Sequence, residues 1–221
     1  MGVFFVYILK ASVCLALFYL CYRVGLSKET FHRFNRITLL SLMVFSFLLP
    51  LVEVTVKGVP EVSQPFFSLE ESMQAVVMDS GHDSDETSVH FPWKALMLQV
   101  YVSGILFFLL RYVWSMGRMF CLLRTCRKEE REGGITLYVH RKKVAPFSWM
   151  KMMVISEEDL AKNGMAILAH ERAHILNGHS WDLLLMQVCI LLQWFNPAVW
   201  LLKQELQTVH EYEADKWVVC Q

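Results

Sequence analysis

No sign of charge dominates this chain: 21 Lys and Arg balance 21 Asp and Glu over 221 residues. A nucleic-acid partner draws on a basic excess, so no direct nucleic-acid contact is expected. Cysteine is scarce where it would count. The six cysteines include no Cys-x-x-Cys pair, and none lies in the acidic segment 53–94. Neither a disulfide framework nor a thiolate zinc site has support, and the cysteines read as membrane and cytosolic thiols. The N-terminus has no basic start before its apolar run and no small-x-small cleavage site, so residues 1–20 read as a retained span rather than a signal peptide. Repeats and low-complexity tracts are absent.

What the chain has in excess is apolar surface. Its hydrophobic content of 55% exceeds the roughly 45–50% of soluble domains. Runs at 3–22, 37–54 and 95–114 each approach the ~20 residues that a helix needs to cross ~30 Å of hydrocarbon. Pro50 stands near one end of the second run, where a kink is tolerated, and Trp93, Tyr112 and Trp114 border the third as interface-seeking rings. Residues 23–36 carry Arg23, Lys28, Arg33 and Arg36 against Glu29 alone, and 53–94 carry Lys57 and Lys94 against eight acids. After the third run come Arg118, Arg124, Arg127, Lys128 and Arg131. By the positive-inside rule the N-terminus and the acidic loop face out, and everything after the third span is cytoplasmic. His82, His90, Asp83 and Asp85 in the outer loop could hold a metal weakly, although a solvated loop is the simpler reading. Lys10 interrupts the first span, either as a functional intramembrane charge or as a snorkelling one.

Beyond Arg131 the pattern changes. Segments 135–139 and 152–155 alternate or are β-branched, which predicts two short strands joined through Pro146 as a small hairpin. The second strand is the expected edge for an extended substrate. Ser156 is the predicted N-cap of a helix stopping at Asn163-Gly164, and a further helix runs from 165 to 177, ending at Gly178.

That helix carries His170-Glu171-x-x-His174. On a helix, i and i+4 lie ~40° and ~6 Å apart, so both imidazoles reach one metal. Zinc suits two imidazoles and one carboxylate with a position left open for water, and Glu171 is placed to move the water's proton. The third ligand is sought in 208–219, where Glu211 and Asp215 share one helix face and Glu213 points to the other side. Glu211 is assigned as ligand and Asp215 as the group orienting a ligating histidine; His210 and Glu213 are the rivals. Between the two halves lies an apolar run from 181 to 202. A single crossing would strand Glu211 across the bilayer, but Asn196-Pro197 predicts a break and a helical hairpin that returns Glu211 to the histidines. Fourteen residues out and fourteen back match. Asp182 could hold a ligating imidazole or serve in capping near Ser180, and His179 reads as a solvated or capping histidine.

The order His170-Glu171-x-x-His174, Phe195-Asn196-Pro197, Glu211-x-x-Ala214-Asp215, with PFSW at 146–149 and HSWD at 179–182, resembles the membrane metallopeptidases of the BlaR/MecR antirepressor family. The glutamate-to-aspartate spacing is also similar to prenyl-protein and heat-shock membrane proteases. The first resemblance implies a mainly α, integral membrane protein of the bacterial inner membrane: a membrane region over 1–118, then a cytoplasmic zincin-like α+β domain over 119–221. It implies Zn²⁺ on His170, His174 and Glu211, Glu171 as base, and cleavage of a cytosolic protein such as a repressor, or of the chain itself. A homodimer is compatible with it. The family's fourth span and penicillin-binding sensor do not follow Asp215, so antibiotic sensing does not carry over; a fragment, or sensing by a partner or the outer loop, is the expectation. A non-catalytic signalling protein with a structural or incomplete zinc site is the competing expectation.

Overall fold

The structure is a computed structural model and describes residues 2–26, 31–52, 93–131 and 134–219. The acidic segment, with His82, Asp83, Asp85 and His90, lies outside the described residues. Three long apolar helices form as expected: α1 (Gly2–Gly25), α2 (His32–Leu48) and α3 (Trp93–Arg124). Pro50 sits in a 3-10 turn, Leu49–Leu51, that closes α2 without breaking it. Three stretches are long and apolar enough to span a membrane: Val3–Gly25, His32–Leu51 (α2 with its closing turn) and Ala95–Arg124. Helix α3 runs ten residues past the expected end, because 115–124 has no proline and its Met, Leu and Arg residues favour the helix despite Gly117. At 1.5 Å per residue it is about 48 Å long, more than a bilayer's apolar thickness.

The expected hairpin of two strands is instead a four-stranded mixed sheet. Strands β1 (Arg127–Arg131), β2 (Ile135–His140), β3 (Phe147–Trp149) and β4 (Met152–Ser156) lie in the order β1-β2-β4-β3. The two strands foreseen from the pattern, β2 and β4, run parallel, while β1 and β3 flank them antiparallel. Parallel neighbours need a crossover, and 141–151 supplies it, turning back into β4 through Met150 at φ 52°. Strand β4 is therefore interior and is not the edge expected for it; β3 is the edge strand on that side. Leu137, Val139, Met153 and Ile155 form one apolar layer against Ile167, Leu168 and Ile175.

Those last residues belong to α4 (Glu157–Leu176). Ser156 caps it, its hydroxyl accepting from the Asp159 amide at 3.1 Å. The expected stop at Asn163-Gly164 is only a kink, with Asn163 at φ −136°. The real break is at Gly178, whose φ of 70° suits a residue without a Cβ. The chain bends by 59° there into α5 (His179–Leu192).

Helix α5 ends at Gln193, and Asn196-Pro197 starts α6 (Pro197–Val219), the return limb of the predicted helical hairpin. Asn196 Oδ1 accepts from the Ala198 amide at 2.9 Å, capping α6, while its Nδ2 donates to Ser12 O of α1 at 3.1 Å. Gln193 Nε2 donates to Ile8 O, and Tyr101 Oη of α3 to Leu192 O. One hydrophobic cluster unites α1, α2 and the hairpin: Leu15, Tyr19, Leu39 and Met43 pack with Met186, Ile190, Leu202 and Leu206. A Cβ on Gly104 of α3 would lie 2.3 Å from the Trp194 ring. Gly104→Leu is accordingly expected to unseat the hairpin turn, costing ~1–3 kcal/mol by overpacking. Thermal unfolding in detergent should show the loss, and Trp194→Ala in the same chain should recover part of it.

Candidate metal centre

Helix α4 presents His170 and His174 one turn apart, and α6 returns Glu211 beside them. The Nε2 atoms of the two imidazoles are 3.1 Å apart. Glu211 lies 3.3 Å from His170 Nε2 through Oε2 and 3.8 Å from His174 Nε2 through Oε1. One atom from each of the three falls within 4.8 Å of the other two.

The outer nitrogens decide which way the imidazoles face. Asp215 Oδ1 is 3.0 Å from His170 Nδ1; a carboxylate accepts only, so the proton is on Nδ1 and, in the neutral ring, Nε2 offers a lone pair. For His174 the sequence of partners is longer. Its Nδ1 meets His179 Nδ1 at 2.7 Å, and His179 Nε2 meets Glu213 Oε2 at 3.0 Å. Glu213 must accept, so neutral His179 carries its proton on Nε2 and accepts at Nδ1. His174 therefore donates from Nδ1 and also offers Nε2 inward. Two lone pairs and a carboxylate converging in this way repel one another unless a cation lies among them. With Zn–N bonds of 2.0–2.1 Å, tetrahedral geometry calls for nitrogens about 3.3 Å apart, close to the separation found. The donor set fits zinc.

Burial works in the same direction. It pushes the His174 imidazole down to about 4, helped by neighbouring His179, His170 and His210, which leaves the ring neutral as a metal ligand requires. Glu171, next to the first histidine but on the buried side of α4, is held above the usual carboxylate range by burial, against a hydrogen bond from Ser148.

The sequence profile of the family described as BlaR1 peptidase M56 matches residues 6–221. The chain belongs to the BlaR1 peptidase M56 family. No curated protein matches it. Membership makes it a membrane-associated protein of metallopeptidase type, in keeping with three apolar helices and a His/Glu group able to hold a metal.

In this M56 chain the group opens onto a cleft of about 830 Å³. Pro146, Phe147 and Ser148 at the β3 edge form one wall, and Gln207, Glu211 and Val218 of α6 another. Two expectations need correction. Asp182 touches neither His170 nor His174: the 59° bend at Gly178 carries it off their face, and its Oδ2 accepts instead from His210 Nε2 at 2.9 Å and Arg36 Nε at 2.6 Å. His179 is not solvated but 2% exposed, and it stacks on His210 at 4.0 Å. Glu213 does point away from Glu211's face, as the helical phase requires, but into the protein rather than into solvent. Sequence reasoning counted Arg36 only as a positive-inside charge; it donates to Asp182, Glu213 and the Asn177 carbonyl.

Burial raises the Asp182 carboxyl, but hydrogen bonds from His210 and Arg36, with their charge, outweigh it and hold the group below its ordinary 3.8. A depressed carboxyl contributes stability that is fully present above the unfolded value and lost as pH falls through the folded one. The wild type should therefore lose thermal stability below about pH 4. Asp182→Asn should be less stable at neutral pH, by about 1–3 kcal/mol for the weakened hydrogen bonds from Arg36 Nε and His210 Nε2, and show a shallower acid dependence. Circular dichroism melts across pH 3–7 measure both.

Proposed function

We propose that this chain is a membrane-embedded zinc endopeptidase that cuts a cytosolic protein in a signalling role. The observation that carries the reading is the inward-facing pair of Nε2 atoms at 3.1 Å, with Glu211 beside them and buried Glu171 on the wall of the same cleft. His170, His174 and Glu211 are the ligands, Asp215 fixes the tautomer and orientation of His170, and Glu171 is the base. Zinc held there supplies Lewis-acid activation of a water and of the scissile carbonyl.

Glu171 takes the proton of the attacking water on its carboxylate and returns it to the departing amine. A carboxyl held above its usual range by burial suits both halves of that task, since it must gain and release a proton near neutral pH. Ser148 keeps the side chain aimed while it does so. The outer side of β3 is unpaired among the described residues, so the backbone of 147–149 can receive an extended peptide as an added strand beside the metal. Three spans with positive-inside loops support an inner-membrane protein with its N-terminus outside and this cleft in the cytoplasm. A transcriptional repressor, or the chain itself, is the substrate class that reading favours.

The purified full chain in detergent should bind one zinc per molecule by elemental analysis. Glu211→Ala should lose most of it. Glu171→Gln should keep the metal while cleavage of an unfolded protein such as casein, followed by mass spectrometry, falls at least ~100-fold. Wild type without zinc, or Glu171→Gln cutting at the wild-type rate, would refute the assignment.

A further inference from the structure

We infer that Arg36 is a positioning residue for the metal centre: a guanidinium on the second apolar helix that sets the orientation of His174 through Glu213 and His179. The inference rests on the zinc reading above and concerns a residue outside the cleft.

Arg36 lies near the start of α2 and reaches all three helices that build the site. Its Nη2 donates to Asn177 O, the C-cap of the histidine helix α4, at 2.7 Å. Nε donates to Asp182 of α5 at 2.6 Å, and Nη1 to Glu213 of α6 at 3.3 Å. A planar fork can serve three acceptors in fixed directions; a lysine ammonium on a flexible stem cannot.

Glu213 is the next link, and it has little else to hold it. Its Oε1 is buried without a hydrogen-bond partner among the described residues, so the carboxylate hangs on Oε2, shared by Arg36 and His179. Without Arg36 a buried negative charge loses its counter-charge and turns toward water. His179 then has no acceptor at Nε2 and can carry its proton on Nδ1 instead. That proton would oppose the one on His174 Nδ1 across 2.7 Å. His174 must rotate, or move its proton to Nε2, and either change removes a lone pair from the metal. The stacked pair His179–His210 makes the arrangement stiff, since His210 is itself held by Asp182, the second acid on Arg36. A shift of α2 relative to the hairpin therefore reaches a metal ligand in three hydrogen-bonded steps.

The test uses the purified full chain, zinc affinity by competition with a chromophoric chelator, and the visible spectrum of the Co²⁺-loaded protein. Arg36→Gln and Glu213→Gln are each expected to weaken zinc binding by roughly 10-fold or more, the range for groups that orient ligands, and to alter the cobalt bands. The double variant should be scarcely weaker than either single one, because both cut one chain of contacts. Arg36→Lys should fall between wild type and Arg36→Gln. Tyr7→Phe, which removes the hydrogen bond from α1 to Phe47 O at the end of α2 away from Arg36, should lower Tm while leaving zinc affinity within about twofold, since distant sites without shared partners act independently. If Arg36→Gln does not fold, Glu213→Gln and Arg36→Lys read the same link. Wild-type zinc affinity and an unchanged cobalt spectrum in the folded variants, or losses that multiply in the double variant, would overturn the inference and leave the zinc reading intact. A wild type that binds no zinc would overturn both.

Discussion

A turn of four residues, Gln193 to Asn196, holds the site together. The two halves of the ligand set are 37 residues apart in sequence, His174 to Glu211, and most of the chain between them is apolar. Only a reversal inside that stretch can bring a carboxylate back to the imidazoles. Reversal in apolar surroundings is costly, because it frees backbone groups that nothing apolar can satisfy. The sequence meets the cost with two amides. Asn196 caps the returning helix with its oxygen and bonds α1 with its nitrogen, and Gln193 bonds α1 one turn away. Gly104 then lets α3 close on the Trp194 ring. The turn is as much a part of α1 and α3 as of the hairpin, so the helices that carry the chain in a bilayer also fix the distance from His170 to Glu211.

A second constraint operates at the other end of the hairpin. Asp182 and Glu213 are both largely buried, and a single guanidinium serves both. Burial raises both carboxyls, and hydrogen bonds from His210 to Asp182 and from His179 to Glu213, with the Arg36 charge, more than reverse the effect. The helix break at Gly178 is what makes the pairing possible. A straight helix would keep Asp182 on the face of His174; the 59° bend swings it toward α2, and the freed Asn177 carbonyl becomes the third acceptor of Arg36.

How far these features can be read from the sequence follows from their range. That His170, His174 and Glu211 come together was legible because it rests on helical phase, i and i+4 on one helix, i and i+4 on another, with a Pro-marked reversal between. The spans and the Ser156 cap were legible for the same reason, being local. The sheet was not. Strand β1, RKEER, has no apolar alternation because none of residues 127–130 is buried on either face, and it exists only because β2 offers it an edge to pair with. The parallel pairing of β2 and β4 depends on where the 141–151 crossover lands, which no periodicity encodes. The burial of His179 and the surroundings of Glu213 were not legible either. Glu213 points where the helical wheel says, but the wheel cannot reveal that α2 covers that side with an arginine 177 residues away.

The charge balance around the cleft explains why so many polar groups can be gathered against an apolar bundle. Glu171, Glu211, Asp215, Glu213 and Asp182 bring five carboxyls, and the hydrogen bonds around them include one guanidinium, that of Arg36. The two buried acids beneath are matched by Arg36 and by the N–H groups of two stacked imidazoles, so that layer is nearly closed on itself. The upper layer is not: Glu211 and Asp215 are exposed to water, and Glu171 is driven above its usual range partly by the Glu211 charge. The surplus of negative charge thus sits on the side where the two Nε2 lone pairs also point. A dication at that point would offset it, and would lower the very carboxyl that burial and Glu211 raise. The polar layer below sets the direction of the ligands, and the layer above leaves the charge deficit to be filled.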